Sequence, residues 1–435
     1  MNSKISFLKY LIFFILPTFT GIVAFIYTQP YKLGTGSDSY RYISMAKHLA
    51  QGQGIAIYNK TTQNRSYPET NFAPLYPAIL SLFIYPHDCI QDRLWIFQIL
   101  LLWLLIFLAG LTVKWFTNSW FFAFLGQLIY AVDIHFLTFI HMALTEGLFL
   151  FLVHLAILFL YFYFSRQKLS FLILASFVFS LTILTRYIGI ACLPFVFLAI
   201  LLFDVRPIVQ RILRALLSLI IIGIPITLWM IRNFFLTRIA YEKGVPGGYP
   251  GQYFFKDVFL DVWHNLTLYP VKMYWYSENA CLSFFLFACF MLLIFFILYR
   301  YRTPSNRLSS MSSLLLILYP FCYVLTLGLV LTWRNLNAMT DNVRYLIPFY
   351  YFFWLFLVTG AYQLHGAIKI RLPRSLFLLF QTVVLFVICV LFFRFAALTT
   401  SWWTHIHQRG IDGKQNKEWA FILDEARWFP DPPYK

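Results

Sequence analysis

Leu144–Phe164, LTEGLFLFLVHLAILFLYFYF, is the stretch that decides the fold. After Thr145 it holds one carboxylate, Glu146, and one imidazole, His154; the remaining residues are apolar, aromatic or glycine. A helix that crosses a bilayer needs about 20 mainly apolar residues, and this stretch supplies them. Ten further stretches read the same way: Leu8–Tyr27, Leu94–Val113, Trp120–Val132, Ser170–Thr185, Tyr187–Phe203, Ala215–Ile231, Ala280–Tyr299, Met311–Trp333, Tyr345–Tyr362 and Ser375–Leu398. The expectation is an all-α polytopic membrane protein of about 11 transmembrane helices. Trp120–Val132 and Ser170–Thr185 are the shortest, and Leu8–Tyr27 reads as a signal anchor because no A-x-A cleavage site follows it.

Composition agrees. Of 435 residues, 60% are hydrophobic and 12% charged, half the ~25% charge of a soluble domain. That excludes a water-soluble enzyme, a disordered chain, a coiled coil and a disulfide scaffold. The net charge of +17 would point to nucleic acid in a soluble protein. In a membrane protein it reflects how Lys and Arg distribute between loops, so no nucleic-acid partner is implied. Five of the six cysteines fall inside apolar runs, none with metal-type spacing, and read as small core hydrophobes.

A cytoplasmic N-terminus gives a consistent charge pattern. Inner segments then hold 14 basic residues and one acidic residue, Asp204, whereas outer segments hold 20 basic and 16 acidic. Basic loops set orientation; the near absence of acids inside puts carboxylate chemistry outside. The long loops, Thr28–Arg93 and Arg232–Asn279, are also outside. The chain reads as one transmembrane domain, residues 1–398, with a short external tail, residues 399–435.

Two helices are legible in the first outer loop. After Ser37-Asp38-Ser39, apolar Tyr42, Met45, Ala46, Leu49 and Ala50 recur at helical spacing, with Arg41, Ser44, Lys47, His48 and Gln51 on the other face. Gly52 and Gly54 end this interfacial helix. Asp38 lies at or beside its N-cap, where the dipole favours a carboxylate; a plain cap and a functional acid are both open. A second helix opens at Pro74 and runs to Tyr85, after a connector carrying Glu69.

The order of first span, Asp38, amphipathic helix, Gly52-x-Gly54 and Ala73-Pro74-Leu75-Tyr76-Pro77 resembles the first external loop of GT-C class membrane glycosyltransferases, which include protein O-mannosyltransferases and aminoarabinose transferases. Thr145-Glu146-Gly147-Leu148-Phe149 is similar to that class's Ser/Thr-Glu at the outer start of a span, and Leu184-Thr185-Arg186-Tyr187 to its Leu-Thr-Arg/Lys turn. Trp229-Met230-Ile231-Arg232-Asn233 and Asn342-Val343-Arg344-Tyr345-Leu346-Ile347-Pro348 resemble its Trp-x-x-Arg-Asn exit and Arg-Tyr-Leu-x-Pro entry. The resemblance spans roughly Leu8 to Tyr362. It implies a GT-C fold, Asp38 as or beside the catalytic base, and a polyprenyl-phosphate sugar as donor. The mannosyltransferases carry an acidic pair where this chain has Asp38-Ser39, which leaves a two-carboxylate or metal role unsupported.

Transfer from such a donor needs a base for the acceptor hydroxyl and cations for the departing phosphate. Arg186, Arg232 and Arg344, each at the outer end of a span, are the candidate cations, with Tyr345 beside the last; snorkelling to headgroups is the alternative. Glu146 is a candidate to place the acceptor hydroxyl, pair with an arginine or contribute to a metal site, and Glu69 is a second base or acceptor contact. Asp133, His135, His141 and Glu146 form a candidate divalent-metal set without standard spacing; no cofactor is otherwise indicated. The acceptor is a lipid, glycan or protein hydroxyl on the outer face of the plasma (inner) membrane. Against an enzyme stands a transporter or flippase of lipid-linked sugars, but transporters place ionisable groups near the midplane, and here they gather at span ends.

Overall fold

The computed structural model describes residues 2–29, 32–34, 38–58, 66–84, 90–133, 137, 140, 142–237, 307–334 and 342–371. Among them are five helices long and apolar enough to cross a membrane: Gln91–Thr117, Glu146–Arg166, Ile208–Leu236, Met311–Val330 and Tyr345–Gln363. Shorter apolar helices cover Phe13–Thr28, Trp120–Val132, Leu169–Thr185 and Tyr187–Phe203, where four more spans are expected. The chain is an all-α, polytopic integral-membrane protein. The expected spans Ala280–Tyr299 and Ser375–Leu398, residues 238–279 of the loop before the former and the C-terminal tail lie outside the described residues, while residues 232–237 of that loop continue a helix.

The chain divides into two compact units, Met1–His154 with Ala361–Lys435, and Leu155–Gly360. In the first, α1 (Asn2–Thr28) packs on α4 (Ile90–Thr117) and α5 (Trp120–Val132). Their seam is aromatic and polar by turns. Phe14 stacks on Phe107, Phe25 stacks on Trp95, and the Trp95 indole donates to Thr28 Oγ1 at 2.8 Å. α4 ends at Asn118, whose φ of 54° suits the left-handed residue that closes a helix. The next residue, Ser119, caps α5 by accepting the Phe122 amide. Gly110 of α4 lets α5 come close: a Cβ there would stand 2.4 Å from Gln127 Cγ.

The loop between α1 and α4 builds a small layer of its own. α2 (Ser39–Ala50) and α3 (Leu75–Ile84) pack together, and a two-stranded antiparallel hairpin, β1 (Ala56–Tyr58) with β2 (Ser66–Pro68), lies against α2. Tyr42, Met45 and Ala46 of the apolar face of α2 are buried as the spacing predicts and Leu49 and Ala50 are half-buried, but Ser44, Lys47 and His48 of the expected polar face are buried too. The hairpin is the reason. Ser44 Oγ accepts the Tyr58 amide at 2.8 Å, the His48 ring lies 4.1 Å from that of Tyr58, and the Tyr40 hydroxyl donates to the Tyr58 carbonyl at 3.0 Å.

In the second unit, α7 (Leu169–Thr185), a 3-10 turn (Tyr187–Ala191) and α8 (Cys192–Phe203) follow the C-terminal half of α6 (Glu146–Arg166). The turn folds back on α7 because Gly189 has no side chain; a Cβ would meet the Ile183 backbone at 2.9 Å. α9 (Ile208–Thr237) packs on α7 and α8, and α10 (Arg307–Arg334) on α8 and the turn. Tyr319 of α10 joins Phe195 of α8 to Phe352 of α11 (Asn342–Arg371) through edge-on ring contacts at 5.4 and 4.8 Å. Cys192 and Cys322 are buried free thiols, in keeping with their apolar sequence context.

Candidate functional site

Asp38 holds the N-cap position of α2. Its carbonyl accepts the Tyr42 amide at 3.1 Å, but its carboxylate makes no capping hydrogen bond. The cause is local: the backbone at Asp38 is already helical, φ −81° and ψ −24°, whereas a capping side chain needs an extended residue. Neighbouring Tyr40 is held protonated, since burial, with the phenols of Tyr67 and Tyr58, pushes its hydroxyl up to about 12. Near neutral pH it is a hydrogen-bond donor and not a base.

Glu146 is the first residue of α6 and is 2% exposed, at the helix end whose dipole favours a carboxylate. One backbone clasp brings its segment to that of Asp38. Gly34 bridges Met142 in parallel fashion, and the Ala143 amide donates to the Gly34 carbonyl at 3.0 Å. The chain four residues before Asp38 is thus tied to the chain three residues before Glu146.

A second tie comes from Gln98 of α4, which the sequence patterns do not single out. Its amide nitrogen donates to the Tyr76 hydroxyl and to the Met142 carbonyl, both at 2.8 Å. Tyr76, fully buried on α3, meets the Tyr42 ring edge-on at 5.2 Å. Burial, then Tyr42 and the Glu146 carboxylate, push the Tyr76 hydroxyl well above its ordinary value, so it is a protonated phenol in the field of Glu146. A buried glutamine in an otherwise apolar run is the one signal by which this contact was readable beforehand.

Glu69 is 2% exposed, and its contacts bracket the loop. Its Oε1 accepts the amides of Thr70 and Asn71 at 3.0 and 2.7 Å, and Oε2 pairs with Arg41 Nη1 at 3.5 Å. Arg41 also lies 5.0 Å over the Phe72 ring. The connector is thereby fastened to the helix that begins at Asp38.

The second unit carries the arginines. Arg186 ends α7 in an extended conformation and lies 5.6 Å over the Tyr345 ring, while the Tyr345 carbonyl accepts the Tyr323 hydroxyl at 2.8 Å. Arg232 lies 4.6 Å over Trp229 and donates to Asn233 Oδ1 at 2.9 Å. The Trp229 indole donates to the Tyr187 hydroxyl at 2.7 Å. The Arg186-Tyr187 turn and the Trp229–Asn233 exit are therefore one assembly, two guanidinium groups each backed by an aromatic face. Arg344 is in the first turn of α11, directly before Tyr345.

Among the described residues no group of three or more His, Cys, Asp or Glu comes together to hold a metal ion. His135 and His141 of the candidate set lie outside those residues. His154 is a satisfied helix–helix contact: Nδ1 faces the Leu150 carbonyl at 2.9 Å and so carries the proton, and Nε2 accepts from the Tyr130 hydroxyl at 2.8 Å.

Fold and contacts define a class, a polytopic all-α membrane protein with the candidate carboxylates Asp38, Glu69 and Glu146 on its first unit and the candidate arginines on its second. Comparison with protein-family models and with curated proteins finds no match for the chain.

Proposed function

We propose that the protein is a membrane glycosyltransferase of the GT-C type, with about 11 spans and its N-terminus in the cytoplasm. It moves a sugar from a polyprenyl-phosphate donor to a lipid, glycan or protein hydroxyl on the outer face of the plasma (inner) membrane. The observation that carries this is the backbone clasp of Gly34 to Met142, which ties the segment of Asp38, an acid at the start of α2, to that of buried Glu146.

In this reaction Asp38 takes the acceptor hydroxyl's proton as its oxygen attacks the anomeric carbon. The bond from that carbon to the phosphate oxygen breaks, and polyprenyl phosphate leaves with the electron pair. A single in-line displacement of this kind inverts the anomeric centre. Glu146 places the acceptor hydroxyl, and Glu69, through Arg41 of α2, keeps the connector beside that helix. Arg186, Arg232 and Arg344, with Tyr345, hold the phosphate as charge grows on it, a task suited to the guanidinium fork.

The test is transfer by purified protein in lipid, offered a panel of radiolabelled polyprenyl-monophosphate sugars and mixed lipid and glycan acceptors. Wild type is expected to transfer from at least one donor. Asp38→Asn is expected to fold normally and lose at least about 100-fold in rate, as for loss of a general base. Equal turnover by the variant would remove Asp38 as base, and no transfer from any donor by folded wild type would overturn the proposal.

A further inference from the structure

One end of the second unit holds more positive charge than its own carboxylate balances. α6 reverses into α7 through Arg166-Gln167-Lys168, with Gln167 in the left-handed conformation at φ 57°. Arg206 docks on this reversal: its Nη2 donates to the Gln167 carbonyl at 3.0 Å. Its Nη1 donates to Asp204 Oδ1 and Oδ2 at 3.0 and 3.2 Å, and to the Tyr163 hydroxyl at 3.2 Å. Arg214 Nη1 donates to the same hydroxyl at 3.1 Å, and that hydroxyl in turn donates to Asp204. Arg211 donates to the carbonyls of Arg206 and Leu201, closing the end of α8. The segments that meet here carry five cations, Arg166, Lys168, Arg206, Arg211 and Arg214, and one carboxylate, which Arg206 pairs directly and Arg214 reaches through Tyr163.

Like charges held this close repel, and Asp204 offsets one of them. Hydrogen bonds hold Arg206, Arg211 and Arg214 in place before any ligand arrives. Arg166 lies 5.0 and 5.3 Å over the rings of Phe162 and Phe171 with its side chain exposed, and Lys168 is exposed beside it. Directly next to these cations the surface turns apolar, with Val205, Ile208, Val209, Ile212 and Leu213 all exposed. A phosphate fits the first part of this surface and acyl chains fit the second. A free anion would use the cations alone, and a zwitterionic headgroup brings its own positive charge.

We propose that this end, the Arg166–Lys168 reversal with Arg206, Arg211 and Arg214, is a binding site for the headgroup of an anionic phospholipid, whose chains lie along the start of α9. Guanidinium groups backed by rings and carbonyls lose little freedom on binding, which favours a retained lipid over a passing one. The site is separate from the residues assigned to transfer, and its test needs no transfer activity.

The experiment is native mass spectrometry of the full-length protein released from micelles containing equal phosphatidylglycerol and phosphatidylcholine. Wild type is expected to keep phosphatidylglycerol at collision energies that strip phosphatidylcholine. The double variant Arg166→Gln, Lys168→Gln leaves the Asp204–Tyr163–Arg206 contacts intact and is expected to lose that preference, about five-fold per cation removed. Lys114→Gln, on the first unit, is expected to keep it. Equal retention of the two lipids, or an effect of Lys114→Gln as large as that of the double variant, would overturn the proposal. Displacement of the lipid by millimolar inorganic phosphate would also overturn it, in favour of a free-anion site.

Discussion

Asp204 is a carboxylate buried at the end of a membrane helix, with a side chain that is 0% exposed. Burial alone would raise its pKa. The Tyr163 hydroxyl, the amides of Arg206 and Val205 and the Arg206 guanidinium outweigh burial and hold the carboxyl below its usual range. Its stabilising effect is therefore fully present above the unfolded carboxylate value of about 3.9, and is lost as pH falls below that through the lower folded value. Asp204→Asn is expected to cost about 3 kcal/mol near neutral pH, as when a buried pair is broken. In thermal unfolding followed by tryptophan fluorescence, the gap from wild type should hold down to about pH 5 and narrow below about pH 4. A gap of the same size at every pH would show that the charge of Asp204 contributes nothing. The sequence marks Asp204 as the one acid in the segments expected inside, but pattern gives no sign that Tyr163, spaced 41 residues away, would meet it. The same holds for Gln98 and Tyr76, which are joined by packing of α4 on α3 and share no motif. What was legible at this scale was residue type in motif order, Asp38, Glu146, Arg186 and Arg232, and not their partners.

At the scale of elements, close approach of helices rests on small residues. Gly110→Ala would drive a Cβ into Gln127, whose amide is committed to the Phe13 carbonyl at 2.9 Å, so the neighbour has nowhere to go without losing its bond to α1. The expected loss is about 1–3 kcal/mol, typical of overpacking. Gly223→Ala in α9 meets nothing within 4 Å and should be neutral or slightly stabilising, by up to about 1 kcal/mol, because alanine favours a helix. Melting both variants in one detergent checks the pair; equal melting temperatures would contradict the α4–α5 contact. Helix periods were legible in advance: α2 and α3 begin and end close to the expected residues. The hairpin was not, because three-residue strands carry too short an alternation to stand out. Nor was the burial of Ser44, Lys47 and His48, since periodicity separates polar from apolar faces and does not reveal that a polar segment will cover a polar face.

At the scale of the whole molecule, hydropathy is the strongest signal a sequence can carry, because the bilayer forces every crossing backbone into a helix. That is why the expected spans from Leu94–Val113 to Tyr345–Tyr362 coincide with helices wherever the chain is described. Function is written more faintly, in polar side chains at the ends of those helices. The direct test follows both halves of one donor molecule. A polyprenyl-phosphate sugar labelled radioactively on the sugar and fluorescently on the lipid would be given to wild type in sealed proteoliposomes with a mixed acceptor fraction. The account predicts that the two labels part: the sugar enters an acceptor, the fluorophore remains on polyprenyl monophosphate, and Asp38→Asn stops the separation. Movement of both labels together to the opposite leaflet, with the sugar–phosphate bond intact, would contradict a transferase and identify a flippase.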